Sequence, residues 1–327
     1  MMSTADPESE LVEACAFALE NNLGLKRQER VLIVTDKQKK NIGEAFERAA
    51  LVQTSHVRLI EIPVLEFPGQ EPSGQAAAAM LRSDVVLMPL TRSLSWTEAR
   101  MKATEKGARI ASMPGISKET VLRTFFQDYQ IIRRRVNCLC DLLDQAGSIR
   151  LTADSGTEIT FGIKGRKGRG RRGGIYTERG AWGNLPCGEA FIAPVEGSAE
   201  GVYIVDLSHT GVGRVIDPIR LRVRKGRVCR ITGGPQSNRL DSVLRRFNHP
   251  DAFNIAEFGI GCNEKAAACG ITLEAEKSLG TVHIALGGNF FFGGTTQIGI
   301  HLDGVVNKPT VEFDEKMVMH RGELKVA

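Results

Sequence analysis

Between Glu257 and Asp303 the chain gathers side chains of the kind that hold metal ions. They are Glu257 in Ala256-Glu257-Phe258-Gly259, His283 in Val282-His283-Ile284-Ala285-Leu286-Gly287, and the pair in His301-Leu302-Asp303. Imidazole and carboxylate are ligands of zinc, iron and manganese. Residues two apart on an extended strand point to the same side, so His301 and Asp303 can face one ion from a single strand. The chain has six histidines, and two fall in this glycine-rich stretch, which singles it out. Gly287-Gly288, Gly293-Gly294 and Gly304 let the backbone turn tightly where a site must be approached closely. Glu257 is flanked by Ile255-Ala256 and Phe258, an apolar setting in which an unpartnered carboxylate is costly.

Positioning these groups falls to the second half of the chain. Beyond Ala146 the pattern is short strands at 148–152, 158–162, 201–205, 219–223 and 227–231. The last ends in the turn signal Thr232-Gly233-Gly234-Pro235, and a helix over 237–247 carries Leu240, Val243 and Leu244 inward. This predicts a strand-rich, antiparallel α+β metal-binding domain over 147–327. The first half alternates strands (30–35, 56–62, 84–90, 108–112) with helices (43–52, 74–82, 96–107). Such alternation predicts an α/β domain with a parallel sheet over 1–146. Its first turn, Asp36-Lys37-Gln38-Lys39-Lys40, lacks the Gly-x-Gly-x-x-Gly of a dinucleotide site, so a structural or dimerising role is expected. One long helical segment, 118–145, is expected to link the halves.

The motifs taken in order carry a resemblance. Asn254-Ile-Ala-Glu-Phe-Gly-Ile-Gly261, Gly280-Thr-Val-His-Ile-Ala-Leu-Gly287, Phe292-Gly-Gly-Thr-Thr296 and His301-Leu-Asp303 resemble the leucyl aminopeptidase family of metallopeptidases, the aminopeptidases T and S. The chain looks most like the shorter aminopeptidase-like members of that family, essentially throughout and most strongly over 185–315. The resemblance implies two metal ions held by two glutamates, two histidines and an aspartate. Here these are Glu189 in Gly188-Glu-Ala-Phe191, then Glu257, His283, His301 and Asp303. Where those peptidases place a tyrosine seven residues after the first histidine, this chain has Phe290, which has no hydroxyl to donate to a developing oxyanion. Through Ser198-Ala-Glu-Gly201, the segment 288–292 and His-Leu-Asp, the chain is more distantly similar to the iron-dependent 2,5-dihydroxypyridine ring-cleaving dioxygenases. Those have a histidine at the position of Glu257 and hold iron with two histidines and one carboxylate.

Three carboxylates among five ligands favour two ions over one iron. The expectation is therefore an aminopeptidase-like, metal-dependent hydrolase of a peptide or amide C–N bond. Two zinc, cobalt or manganese ions ~3.5–4 Å apart would activate a bridging water, with Glu189 and Glu257 also relaying protons. The expected partners are a small peptide or amide substrate and a second copy of the chain in a homodimer. The alternative is an Fe(II) ring-cleaving dioxygenase, with a non-catalytic relative as a third reading. Glu274, Glu276 and Glu312 read as surface charges.

Composition narrows the classes further. No apolar run approaches the ~20 residues that span a bilayer, and the N-terminus lacks the basic start and apolar stretch of a secretory signal. Seven cysteines, an odd and scattered set, point to a reducing cytoplasm. Cys138-x-Cys140 lies in a helical pattern where side chains two apart diverge, and Cys187 reads as a buried, inert thiol. The net charge of +5 is local. Lys164-Gly-Arg-Lys-Gly-Arg-Gly-Arg-Arg172 holds six basic residues, and taking them away leaves −1 for the rest. That run reads as a mobile, solvated hairpin loop, or as a flap for an acidic substrate. No stacking aromatics are interleaved, so nucleic acid is not expected.

Overall fold

The computed structural model describes residues 7–326. They divide into two compact units: the described residues up to Tyr129 with Gly174–Cys187, and Gln130–Gly173 with the chain from Gly188 onward. The boundary expected at 146 thus lies seventeen or so residues late, and the chain crosses between units three times rather than once. The expected 118–145 helix is interrupted at 125–128.

In the first unit, helices α1 (Pro7–Asn21), α2 (Lys40–Gln53), α3 (Gly74–Met80), α4 (Glu98–Lys106) and α5 (Lys118–Thr124) alternate with strands β1 (Val31–Asp36), β2 (Val57–Ile62), β3 (Val85–Leu90) and β4 (Arg109–Pro114). The run Val85-Val-Leu-Met-Pro-Leu90 is buried throughout, as a parallel strand covered on both faces must be. Ser73, Thr97 and Ser117 start their helices by accepting a hydrogen bond from the backbone N–H three residues on. After α6 (Tyr129–Gln145), β5 (Ser148–Thr152) and β6 (Glu158–Gly162), strand β7 (Trp182–Asn184) returns to pair in parallel with β4. The sheet order is β2-β1-β3-β4-β7, all parallel. Neither β7, three residues long, nor α1 was among the elements expected from sequence.

The second unit is strand-rich and antiparallel, as expected. Its further strands are β8 (Glu189–Ile192), β9 (Glu200–Val205), β10 (Ser208–His209), β11 (Gly213–Arg214), β12 (Ile219–Arg224) and β13 (Arg227–Thr232). After helix α7 (Pro235–Arg245) come β14 (Ile255–Gly261), the short helix α8 (Thr272–Ala275), β15 (Thr281–Gly287) and β16 (His301–Asn307). The chain closes with β17 (Thr310–Phe313), β18 (Lys316–His320) and β19 (Glu323–Leu324). They form a six-stranded sheet, β11-β10-β16-β15-β14-β8, and an eight-stranded sheet, β13-β12-β9-β6-β5-β17-β18-β19. Aromatic side chains join the two. Phe258 of β14 packs its ring 5.4 Å from Phe161 of β6 and 6.5 Å from Phe313 of β17. The Tyr203 hydroxyl of β9 donates to Gly304 O at 2.5 Å and accepts from Ile284 N at 3.1 Å, pinning β15 and β16 from behind.

The basic run at 164–172 is stapled rather than mobile. Arg166 pairs with Glu196 and donates to Gly293 O. Lys167 pairs with Asp144, and Arg171 with Asp141 and Asp144. Arg169 exchanges backbone hydrogen bonds with Phe191. Three carboxylates outside the run, Glu196, Asp141 and Asp144, pair with three of its six basic residues, which the charge pattern alone does not show.

Candidate metal centre

Strand register brings the five candidate residues onto one face of the six-stranded sheet. Ala285 of β15 lies opposite Asp303 of β16 on one side and Glu257 of β14 on the other. Its methyl group leaves the two longer carboxylates room to converge above it. One pair along, His283 lies opposite Gly259, and Gly261 opposite Glu189. A Cβ on Gly259 would sit 2.2 Å from His283 Cε1, so the imidazole needs a glycine beneath it. His301 lies opposite Gly287, whose φ of 117° and close approach to Ile300 O exclude a side chain there.

The charged groups form one continuous row. His301 Nε2 is 3.4 Å from Asp303 Oδ1 and 3.3 Å from Glu257 Oε2. Glu257 Oε1 is 3.2 Å from His283 Nε2, which is 3.4 Å from Glu189 Oε2. Beyond Glu189 the row continues into residues the sequence reading missed. Lys277 Nζ lies 2.6 Å from Glu189 Oε2 and 2.6 Å from Glu276 Oε1, with only 2% of its side chain exposed. Glu274 and Glu276, read from sequence as surface charges, are both buried. Asn263, just past β14, holds Lys277 in place by donating to its carbonyl at 2.8 Å. No sequence signal marks Leu273-Glu-Ala-Glu-Lys277 as buried, because that backbone pairing is tertiary.

Electrostatics follow from this packing. Burial opposes charge on His283, but Glu257, Glu189 and Glu276 outweigh it and raise its pKa to about 9. Burial likewise opposes charge on His301, and Asp303 and Glu257 hold it well above its ordinary value. For Glu257, burial is overcome by its bonds to His283 and His301, which lower it. Burial, with Asp303 and Glu189 nearby, pushes Glu276 up to about 7 despite Lys277. Lys277 is raised, since the two carboxylates beside it outweigh its burial.

One detail tests whether a metal ion fits. His301 Nδ1 is 3.1 Å from Gly288 O. A carbonyl only accepts, so Nδ1 carries a proton and donates it. In neutral His301 the lone pair is then on Nε2, aimed at two carboxylate oxygens. Three lone-pair donors converging in this way take either a proton on Nε2 or a cation among them, and the carbonyl that fixes the ring orientation is the usual support of a metal-bound histidine. Ligand atoms of Glu257, His301 and Asp303 lie within 4.8 Å of one another, as do those of Glu189, Glu257 and His283. The donor set fits a divalent ion.

The chain is thus an α/β protein whose antiparallel sheet carries a carboxylate and imidazole cluster able to hold a metal ion. Over residues 10–326 it matches the family profile NicX, 2,5-dihydroxypyridine 5,6-dioxygenase, and the chain belongs to that family. The 2,5-dihydroxypyridine 5,6-dioxygenase of Pseudomonas putida KT2440 is 27% identical over 209 residues, which are 59% of this chain and 58% of that protein. The aligned part is thus under two thirds of the relative's length. The solved structure of 2,5-dihydroxypyridine dioxygenase from the same strain covers 97% of each chain with a TM-score of 0.79 and 21% identity. Wild-type AmpT from Thermus thermophilus covers 97% of this chain and 99% of its own, with a TM-score of 0.68 and 17% identity. At these identities the two structures establish the fold.

These matches correct the main expectation. A peptide- or amide-cleaving hydrolase, with aminopeptidase and protease as its labels, is overturned by a dioxygenase profile spanning nearly the whole chain and by the named relative. The same findings favour the alternative reading over it. The motifs misled because one scaffold carries both chemistries, and the ligand count was taken to decide between them. A metal cofactor is implied by the family, and residues able to hold it are present.

Proposed function

We propose that this protein is a metal-dependent dioxygenase that opens a hydroxylated pyridine-type ring, using one divalent ion held by Glu257, His301 and Asp303. The observation that carries the reading is the convergence of Glu257 Oε2, His301 Nε2 and Asp303 Oδ1, with His301 locked by Gly288 O. The ion supplies Lewis acidity and one-electron redox chemistry for the reaction of the ring with dioxygen. Two carboxylates and one imidazole form a harder set than the two-histidine, one-carboxylate triad of non-haem iron oxygenases, and they suit Fe(II) or Mn(II).

The remaining residues position this triad. His283 Nε2–H donates to Glu257 Oε1, leaving Oε2 of the same carboxylate for the ion. His283 is then a positioning residue rather than a ligand. Glu189 is engaged by Lys277. A dioxygenase cleaves a ring C–C bond and places both atoms of dioxygen in the product, so no external reductant is required.

The test is oxygen uptake on addition of 2,5-dihydroxypyridine to protein reconstituted anaerobically with Fe(II) or Mn(II). Uptake should match loss of the ring absorbance one for one and stop when the metal is chelated. If neither loaded form consumes oxygen with any dihydroxypyridine, the reading fails.

A further inference from the structure

We infer that Lys277 is a built-in cation standing where a second metal ion would otherwise bind, and that it limits the site to one ion. This rests on the metal-dependent reading above and deepens it.

The geometry offers two ligand groups that share Glu257: one with His301 and Asp303, the other with Glu189 and His283. Only the second is contested. The Glu189 oxygen nearest His283, Oε2 at 3.4 Å, is the same oxygen that Lys277 Nζ reaches at 2.6 Å. The other side of that ammonium is closed by Glu276 Oε1, also at 2.6 Å. Lys277 cannot swing away to solvent, since its side chain is 2% exposed and its carbonyl is bonded to Asn263 N. An ion between Glu189 and His283 would share a carboxylate oxygen with a fixed ammonium at low dielectric, where like charges repel strongly.

Charge balance points the same way. The row holds four carboxylates, Glu276, Glu189, Glu257 and Asp303, with Lys277 as its only permanent cation. With all four ionised and both imidazoles neutral, Lys277 and one divalent ion leave a residual charge of −1. Adding a second ion would reverse the sign in a buried site. Removing Lys277 leaves four carboxylates facing one ion, and a second divalent ion would then restore neutrality. The amine is thus placed to decide how many ions the same carboxylates and imidazoles accept.

The experiment counts ions and needs no turnover. Metal-free protein is loaded anaerobically with Mn(II) or Fe(II), passed through gel filtration and assayed by elemental analysis. Wild type and Lys277→Arg should hold one ion per chain, and Lys277→Gln two. Two ions in wild type, or one in Lys277→Gln, would overturn the inference. Should Lys277→Gln fail to fold, Glu189→Gln decides. If Glu189 serves Lys277, that variant keeps one ion with a dissociation constant within about threefold of wild type, whereas weakening of tenfold or more would make Glu189 a ligand of the resident ion and overturn the proposal. Failure here is separable from failure of the proposed reaction. Wild type with one ion and no oxygen uptake sinks the reaction alone, while an active wild type with an unchanged count in Lys277→Gln sinks the role of Lys277 alone.

Discussion

At one end of the charged row, His301 Nε2 faces carboxylate oxygens of Glu257 and Asp303 at 3.3 and 3.4 Å. At the other end, Lys277 Nζ lies 2.6 Å from carboxylate oxygens of both Glu189 and Glu276. Each end holds one buried and one partly buried carboxylate, and a carboxylate taken out of water must be compensated. The Lys277 end carries its compensation in the chain. The His301 end offers only an imidazole, which compensates when protonated and becomes a ligand when it is not. On the proposed reading an ion belongs at the end that lacks a permanent cation. Predictions that separate the two ends therefore test the whole assignment.

Removing a ligand at the His301 end should have the largest effect. Asp303→Ala or His301→Ala should lose metal binding at micromolar metal and lower turnover by roughly a thousandfold or more, because the ion-dependent stabilisation of the transition state goes with it. Far-ultraviolet circular dichroism should stay that of the folded chain. Equilibrium dialysis showing wild-type affinity in both variants would erase the distinction between the ends.

His283 sits where the two ends meet, and its substitutions sharpen the boundary. As a positioning residue it acts through the hydrogen bond to Glu257 Oε1. His283→Leu should weaken metal binding about 10–100-fold, the range for losing a group that orients a ligand. His283→Gln keeps an N–H donor near the same place and should recover most of that affinity. If glutamine is as damaging as leucine, His283 is a ligand and the ends are not distinct.

The pH dependence follows from the same contrast. Metal needs the Nε2 lone pair of His301, whose pKa is held well above its ordinary value by Asp303 and Glu257 against the opposing effect of burial. Binding must expel that proton, so affinity should rise about tenfold per pH unit below the metal-free pKa. Stability of the metal-free protein should run the other way. The pKa of His283 is raised from 6.5 to about 9, so the folded state holds more protons than the unfolded state between those values. That contribution is fully present below pH 6.5 and is lost as pH rises through about 9. Calorimetry from pH 6 to 9 should show Tm falling in metal-free protein and not in loaded protein. Parallel profiles would mean that the imidazoles are not where proton and metal compete.

How much of this was legible depended on whether a residue's setting is local. The His301-x-Asp303 spacing fixes a shared face on any strand, and the structure keeps that face. Continuous apolar runs such as 85–90 announced the buried parallel strands. Lys277 was illegible because Glu-Ala-Glu-Lys is also what an exposed helix end looks like, and only pairing with Asn263 turns it inward. The returning strand β7 and the split helix at 125–128 were hidden for the same reason, since both are decided by what the segments pack against. The choice between hydrolase and oxygenase failed at another level. Counting Glu189, Glu257 and Asp303 assumed that every one faces a metal, whereas the amine of Lys277 engages Glu189.

The smallest effect is expected at Phe290, whose position seven residues after His283 drew attention from sequence. Of the three consecutive phenylalanines, Phe292 is buried, packing against His301 at 5.6 Å and Phe191 at 5.7 Å. Phe290 is 52% exposed, with its ring 5.8 Å from that of the half-exposed Phe291. A hydroxyl added there meets solvent, so Phe290→Tyr should change stability by no more than about 0.5 kcal/mol, as surface substitutions usually do. It should confer no release of p-nitroaniline from leucine p-nitroanilide. Phe292→Ala, by contrast, should cost about 3–5 kcal/mol in urea unfolding by opening a cavity beside the His301 ring. A gain of amide cleavage in Phe290→Tyr would mean that a phenol at this rim reaches the reacting centre, and that the scaffold stands one hydroxyl away from hydrolytic chemistry.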